Sequence, residues 1–418
     1  MNNELVVENM PAVEEAKTRK GLDPFSLMVI ASFPAAMVLV LSWFGIYTFV
    51  NGYIVQDLGC SNQTWTAVTL WFSGGMIFWS IFCPEISSVL GRRRTVIISQ
   101  ILAAGFYFGI AVTRNLVVIQ ILLFLMSFVA AAYTVAWLPI VAHVGRKNPG
   151  RALAISQFTN ILIGVFALIS GGYILSHINY QWGFVIFGSV CVVCAIFYSV
   201  TSRALEEGMR SEVVTFRKFS KSDFLSLLTG PFAVVVLAGT CMEPFNYHTM
   251  NQLFPNLARD LYHLSDKGIG AIVALVRIPA LVVLIILTYV VDKKNMFWLY
   301  GLSLALSGLM LSTLSIPREL GLTVVCSGVF YVFWGGVWGT EIVTVHASVE
   351  PHLCDAAFGV MSVLGTVSVF MVGMAHNRML AAGFSIPNVF LVCGIMTVIG
   401  GSTLILYSRK RRIRNVSN

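Results

Sequence analysis

Charge is what this sequence lacks. Only 11% of its 418 residues are Asp, Glu, Lys or Arg, against 57% hydrophobic. A soluble domain carries about a quarter charged residues, so a water-soluble globular class is excluded. A cysteine framework is also missing. The eight cysteines are scattered, and Cys191, Cys194, Cys241, Cys326 and Cys393 lie inside apolar runs as small hydrophobes. No Gly-rich phosphate loop, no metal-binding His/Glu helix and no nucleophile–base arrangement occurs, so neither an enzyme nor a cofactor or metal is expected. No gap between apolar runs is wide enough for a soluble domain. The first 25 residues are acidic and then basic, and the apolar stretch after them is too long for a cleaved signal. They are read as a short cytoplasmic tail.

What the chain does have is length of apolar run. A span needs about 20 residues, and twelve runs qualify: 26–54, 65–86, 95–112, 115–143, 152–176, 180–202, 228–254, 267–291, 296–316, 320–347, 356–379 and 385–407. This is an all-α polytopic membrane protein, set in a lipid bilayer. Most of the 27 basic residues fall on one side, in the triplets Lys17/Arg19/Lys20, Arg92–Arg94 and Arg146/Lys147/Arg151, in the charged loop 203–227, at Lys293/Lys294 and in the tail from Arg409 to Arg414. The positive-inside rule makes both termini cytoplasmic. The basic tail is explained by topology and anionic lipid, not by nucleic acid.

The loop 203–227 divides six spans from six, and weak internal repeats support the division. Tyr47-x-x-x-Asn51 recurs as Tyr247-x-x-x-Asn251, and Asp57-Leu58 as Asp260-Leu261. Gly91-Arg92-Arg93-Arg94 is echoed by Asp292-Lys293-Lys294, and Trp137 by Trp338. The organisation read from this is a cytoplasmic tail (1–25), a six-helix bundle (26–202), a linker (203–227), a second six-helix bundle (228–407) and a basic tail (408–418).

Twelve spans split six and six, cytoplasmic termini and a basic loop after span 2 resemble the major facilitator superfamily. Arg146-Lys147-Asn148-Pro149-Gly150-Arg151 and Gln181-Trp182-Gly183 are further marks. The resemblance implies two pseudo-symmetric bundles that rock about a central site lined by spans 1, 4, 7 and 10. It implies a gating role for Gly91, Arg92, Arg93 and Asp292. The match is incomplete. Pro84, Ser88 and Val89 stand where the family's loop has Gly, Asp and Arg, and only Gly171-Gly172 remains of the antiporter element in span 5. No subfamily is specified.

Span 7 is polar for a span, carrying Glu243, Asn246, Tyr247, His248, Asn251 and Gln252, and Pro244 is expected to break it. Intramembrane polar groups default to a functional reading. Glu243 lies roughly 15 Å and Arg277 roughly 14 Å inside their spans at 1.5 Å per residue, so the two are expected to meet. Arg277 would then be either an anion clamp or the partner that tunes Glu243, with a permanent structural ion pair as the alternative. Glu341 is read as shallower, a gate or a coupling group. His248 suits a proton relay or a packing role, while His376 and Arg378 at the outer end of span 11 are expected to snorkel. Trp43, Tyr47, Tyr133, Trp137, Tyr247, Trp334 and Trp338 are candidate stacking rings, and Asn51 and Asn251 candidate hydrogen-bonding groups.

The expectation is a monomeric secondary transporter in a cytoplasmic membrane of the bacterial inner-membrane kind. It would move a small polar organic solute, an organic or sugar acid first and a sugar next, by alternating access with proton symport. The alternatives are a proton-coupled exporter of drugs or amphipathic metabolites, and a lipid translocator or non-transporting sensor on the same scaffold.

Overall fold

Apolar runs of this length have one way to satisfy their backbone in a bilayer without a closed barrel, which is to pair every N–H within its own segment. The computed structural model describes residues 23–144, 149–203, 205, 225, 227–290, 296–316, 318–349 and 353–417, and among them there is no strand. Eleven helices are long and apolar enough to cross a membrane: α1 (Pro24–Asp57), α2 (Asn62–Leu90), α3 (Arg92–Val112), α4 (Leu116–Val141), α5 (Arg151–His177), α6 (Tyr180–Thr201), α8 (Asp266–Leu287), α9 (Met296–Thr313), α10 (Leu320–Val345), α11 (Gly359–Ala381) and α12 (Ile386–Lys410). The twelfth rod, α7, runs over 231–262. It falls short only in apolarity, because its longest piece, Pro244–Tyr262, carries the polar residues noted above.

Helix starts follow local chemistry. The side chains of Asp23, Ser61, Asn115, Asn179 and Ser265 each accept a hydrogen bond from a first-turn N–H, satisfying donors that a helix end otherwise orphans. Gly91 turns α2 into α3 at φ 84°, a conformation that favours glycine.

Within the first six helices α3 packs on α6, α1 on α5 and α6, and α2 on α4. Within the last six, α9 packs on α10 and α12, α8 on α10, and α7 on α11 and α12. The two groups meet where α2 lies on α11 and α5 on α8. At the second crossing Gly172 faces Gly270, and a Cβ on Gly270 would sit 2.5 Å from the Leu168 carbonyl. Only small residues allow backbones this close. Large apolar side chains such as Val112, Val200 and Phe166 are exposed on the perimeter, as a lipid-facing surface requires. The linker 203–227 and Asp292 of the expected gate lie largely or wholly outside the described residues.

Three rods depart from α geometry, and they are α1, α4 and α7. Leu41–Val50 and Tyr53–Asp57 of α1, Tyr133–Trp137 of α4 and Val236–Thr240 of α7 are π-helical. Such segments concentrate at functional sites. In α7 the widened turn ends where the Cys241 N–H donates to the Val236 carbonyl at 2.8 Å, and a turn over Cys241–Glu243 precedes Pro244. The break expected at Pro244 is present.

Candidate functional site

Three of the four non-α segments, Leu41–Val50, Tyr133–Trp137 and Val236–Thr240, border a cavity of about 260 Å³ between the two halves. Its wall comes from α1 (Trp43, Phe44), α2 (Ser80), α4 (Tyr133), α5 (Gln157, Asn160), α7 (Thr240, Glu243, Tyr247), α10 (Trp338, Glu341) and α11 (Met361, Gly365). Each helix contributes from its middle toward the face at which α1 begins and α12 ends.

Glu243 and Glu341 meet on this wall. Both line the cavity, and Thr240 Oγ1, one turn before Glu243 on α7, donates to Glu341 Oε1 at 2.9 Å. Glu243 owes its place to the α7 break, where the chain turns over Cys241–Glu243 before resuming at Pro244. Glu341 lies on the same depth of α10. It is half-buried, four residues before the end of α10 at Val345, where the π-turn of α7 faces it.

Arg277 is elsewhere. The pairing with Glu243 expected from matching depth is not formed, since depth along a helix does not fix the direction in which a side chain leaves it. Arg277 Nη2 donates to Asn251 Oδ1 at 2.6 Å and its Nη1 to the Val273 carbonyl. Its guanidinium lies 4.2 Å from the Phe44 ring centre and 4.9 Å from that of Tyr331. Phe44 therefore stands between Arg277 and the cavity, and no carboxylate pairs with Arg277 among the described residues. Like Glu243, it sits at a helix interruption two residues or fewer before a proline, with the Arg277 N–H reaching only to Ala274 O at 3.1 Å.

The aromatic candidates separate into two sets. Tyr247 and Trp338 line the cavity, and Trp334 backs them, stacked on Tyr247 at 5.0 Å and 17°. Trp43 faces Tyr247 from the other half at 5.6 Å. Tyr47 is buried beside Trp65 and His248. Asn51 donates to the Tyr47 carbonyl of its own helix at 3.2 Å, and neither residue reaches the cavity wall. Trp137 is fully buried in another place, its Nε1 3.3 Å from Ser156 Oγ and its ring against Tyr198. It ties α4 to α5 and α6.

His248 is also fully buried, its ring parallel to that of His376 at 5.8 Å and 10°, and neither ring nitrogen of His248 has a hydrogen-bond partner among the described residues. His376 does not snorkel. Its Nδ1 lies 2.6 Å from Gln252 Oε1 and its Nε2 2.9 Å from Thr249 Oγ1, so α11 is pinned to α7 through it. Arg93 binds Ser202 Oγ at 3.1 Å and the Ser199 carbonyl, joining α3 to the end of α6 inside one half, while Gly91 supplies the turn before it.

The opposite end is closed by contacts that sequence reasoning missed. Arg259 pairs with Asp266 at 3.1 Å, both nearly excluded from solvent. Arg259 also donates to the Thr48 carbonyl of α1 at 3.1 Å, and Tyr180 of α6 donates to Asp266. Gln252 Nε2 reaches Thr69 of α2 at 2.6 Å, and Asn62 Nδ2 reaches Asp260 at 3.0 Å. Every one of these contacts except Arg259–Asp266 crosses between the halves. A loop-side Arg and Asp seven residues apart were the only sequence signal. The left-handed His263 (φ 51°) turns the chain so that they meet.

A family model described as Major Facilitator Superfamily matches residues 32–372. Comparison with curated proteins by sequence finds no match. Among solved structures the fold is similar to that of XylE, a proton:xylose symporter of the major facilitator superfamily solved with 6-bromo-6-deoxy-D-glucose. That similarity has a TM-score of 0.68 at 14% identity and covers 90% of this chain and 94% of that one. It is similar also to a bacterial homologue of the human lysosomal transporter Spinster in an inward-facing, unoccupied conformation, with a TM-score of 0.70 at 14% identity, covering 93% and 98%. At such identity the likeness establishes the fold.

Proposed function

Because the chain belongs to the major facilitator superfamily and is an integral multi-pass membrane transporter, we propose that it is a proton-coupled secondary transporter of a small organic solute, working by alternating access. The observation that carries this reading is the Glu243–Glu341 pair, two carboxyl groups on the wall of one cavity between the halves, with Thr240 beside Glu243 donating to Glu341. Charge at membrane depth is expensive, so gain and loss of protons there changes the cost of closing the cavity. The π-turn and break of α7 put one member of the pair on a segment that can bend.

The direction of opening follows from where the basic residues lie. The cavity opens toward the face that carries Arg92–Arg94 and the basic tail, which the positive-inside rule assigns to the cytoplasm. Both termini are then cytoplasmic, and the conformation is inward-facing in a cytoplasmic membrane. The expectation of an organic acid rested on Arg277 as a clamp. With Phe44 between Arg277 and the cavity, that preference has no support from this conformation, and proton symport loses its particular rationale along with it.

The test uses proteoliposomes with a pH dye in the lumen, challenged with a panel of organic acids, sugars, amino acids and amines. At least one member is expected to move protons through the wild type, and Glu243→Gln to abolish that movement while solute–solute exchange persists. If no member moves protons, or if Glu243→Gln moves them as the wild type does, the coupling reading is wrong.

A further inference from the structure

Besides the Arg259–Asp266 closure, the sealed end has a second seam, where α1 and α2 of the first half meet α7 and α11 of the second. Its bonds join neutral groups. Gln252 Nε2 reaches Thr69 Oγ1 at 2.6 Å, and Asn377 Nδ2 reaches the Gln63 carbonyl at 3.0 Å and Thr66 Oγ1 at 3.1 Å. Their directions can be traced inward. Thr69 gives its own hydrogen to the Thr66 carbonyl at 2.8 Å, so it accepts from Gln252. Gln252 Oε1 is then left to accept from His376 Nδ1 at 2.6 Å. A neutral His376 keeps only a lone pair at Nε2. That lone pair faces Thr249 Oγ1 at 2.9 Å, whose hydrogen is shared with the Phe245 carbonyl, and the Cys393 thiol at 3.6 Å. His376 is thus engaged on both sides as a neutral ring. His248, stacked parallel to it, is not. Both nitrogens of His248 are buried without a partner among the described residues, and so is the Tyr47 hydroxyl, whose ring lies 5.4 Å away across the halves. A ring lone pair aimed at no donor is a proton acceptor that closure keeps dry.

We propose that His248 is a proton-operated latch of the sealed end: the seam stays shut while the ring is neutral, and a proton bound to His248 holds it open. The titratable groups facing the ring are the Tyr47 phenol on α1 and the His376 imidazole on α11, with the Cys393 thiol on α12 beside His376. None of them carries negative charge near neutral pH, and no Asp, Glu, Lys or Arg bonds to either ring among the described residues. The nearest acid along α7, Glu243, is five residues back on the cavity wall. Trp43, packed on Phe72 and Tyr247, roofs the cavity one turn before Tyr47, and both histidines are wholly excluded from solvent. An imidazolium in the closed seam is therefore a buried charge without a counter-ion, which is costly. When α1 and α2 part from α7 and α11, the two rings stay together and meet water, where a histidine takes up a proton near pH 6.5. The sign follows. The proton is held in the open form, so closure is at full strength above that pH and weakens as pH falls through it. The contacts of Arg259 and Asp266 with the first half must still be released, since acid acts on this seam alone. Glu243 has no part in the device, which stands apart from the coupling reading.

The test is hydrogen exchange followed by mass spectrometry on the full chain in lipid nanodiscs, at about pH 7.5, 6.5 and 5.5. Wild type and variants are compared at the same pH, which cancels the chemical pH dependence of exchange. The peptides of interest cover the start of α2 and the end of α11, where amides exchange through opening. Relative to His248→Gln, the wild type is expected to exchange there about tenfold faster at pH 5.5 than at pH 7.5, the factor given by one site titrating near 6.5. Glu243→Gln should keep that rise in full. If His248→Gln fails to fold, Gln252→Glu decides in its place as the reference. It sets a carboxylate on the histidine pair, lets the closed seam keep the proton, and should cancel the rise. No rise in the wild type over the reference variant overturns the proposal. A rise that disappears in Glu243→Gln traces the pH dependence to the cavity acids and overturns it as well.

Discussion

The two ends of this molecule are held in opposite ways. At the end that carries the chain termini, the halves part around a cavity whose acids face each other. At the other end the halves are joined by side chains largely withdrawn from water, Arg259 and Asp266, Tyr180 and the Gln252–Thr69 pair, with the exposed Asn62–Asp260 pair at the rim. From Tyr247 on the cavity wall to Arg259 is twelve residues of one helix, roughly 18 Å. One polar helix thus carries Glu243 and the cavity wall on its lower part and the closure on its upper part. The difference teaches where the energy of opening resides. On the proposed reading a change of protonation alters the cost of closing at the cavity end, whereas the sealed end opens only if a buried ion pair is first stripped of its partners from the other half.

The comparison breaks most visibly at Asp266. Asp266→Ala leaves Arg259 buried and unpaired, a loss of about 3–5 kcal/mol, close to the roughly 5.5 kcal/mol that inverts a 99:1 equilibrium. Hydrogen exchange followed by mass spectrometry is expected to quicken in peptides covering the α7–α8 turn and to slow around the cavity end; unchanged exchange at both would show that the pair does not hold the closure. Tyr180→Phe removes one hydrogen bond to a charged group across the halves, worth about 1.5–3 kcal/mol, and should shift exchange in the same direction but by less. Gly270→Ala places a Cβ against the Leu168 carbonyl at the α5–α8 crossing. Overpacking of that kind costs about 1–3 kcal/mol, and a thermal-unfolding midpoint lowered by a few degrees is the expected reading.

Spans and their grouping were legible because apolar length and Lys/Arg asymmetry are one-dimensional properties. The α7 break was legible too, since Pro244 acts on its own backbone. Pairings across helices were not. Glu243 and Arg277 share a depth, and depth is all that counting gives; Glu243 turns toward α10 and Arg277 toward Phe44 and Tyr331. The same gap explains Trp137, a repeat partner of Trp338 by position, which packs into the α4–α6 contact while Trp338 lines the cavity. The closure went unread because Arg259, Asp266 and Tyr180 stand near span ends, where a charge or a phenol ordinarily means only a wet boundary. Their burial depends on the left-handed turn at His263, a conformation uncommon outside glycine and not fixed by the residue type alone.

The smallest effect is the sharpest control. Arg114 and Asp57 form an ion pair at the same end as Arg259 and Asp266, with nearly the same separation, 3.3 Å against 3.1 Å. Counting ion pairs would score the two alike. Their surroundings differ: Arg114 and Asp57 are 68% and 31% exposed, where Arg259 and Asp266 are 6% and 10%. Exposed pairs contribute about 0–1 kcal/mol, because water and salt already satisfy each charge. Their connectivity differs as well, since Arg114 ties the end of α1 to the α3–α4 turn within the first half and never crosses to the second. Asp57→Asn is therefore expected to leave the thermal midpoint within about one degree of the wild type and the exchange pattern at both ends unchanged. A shift comparable to that of Asp266→Ala would mean that the closure is a diffuse property of charge at this end, and that the buried Arg259–Asp266 pair has no special hold on it.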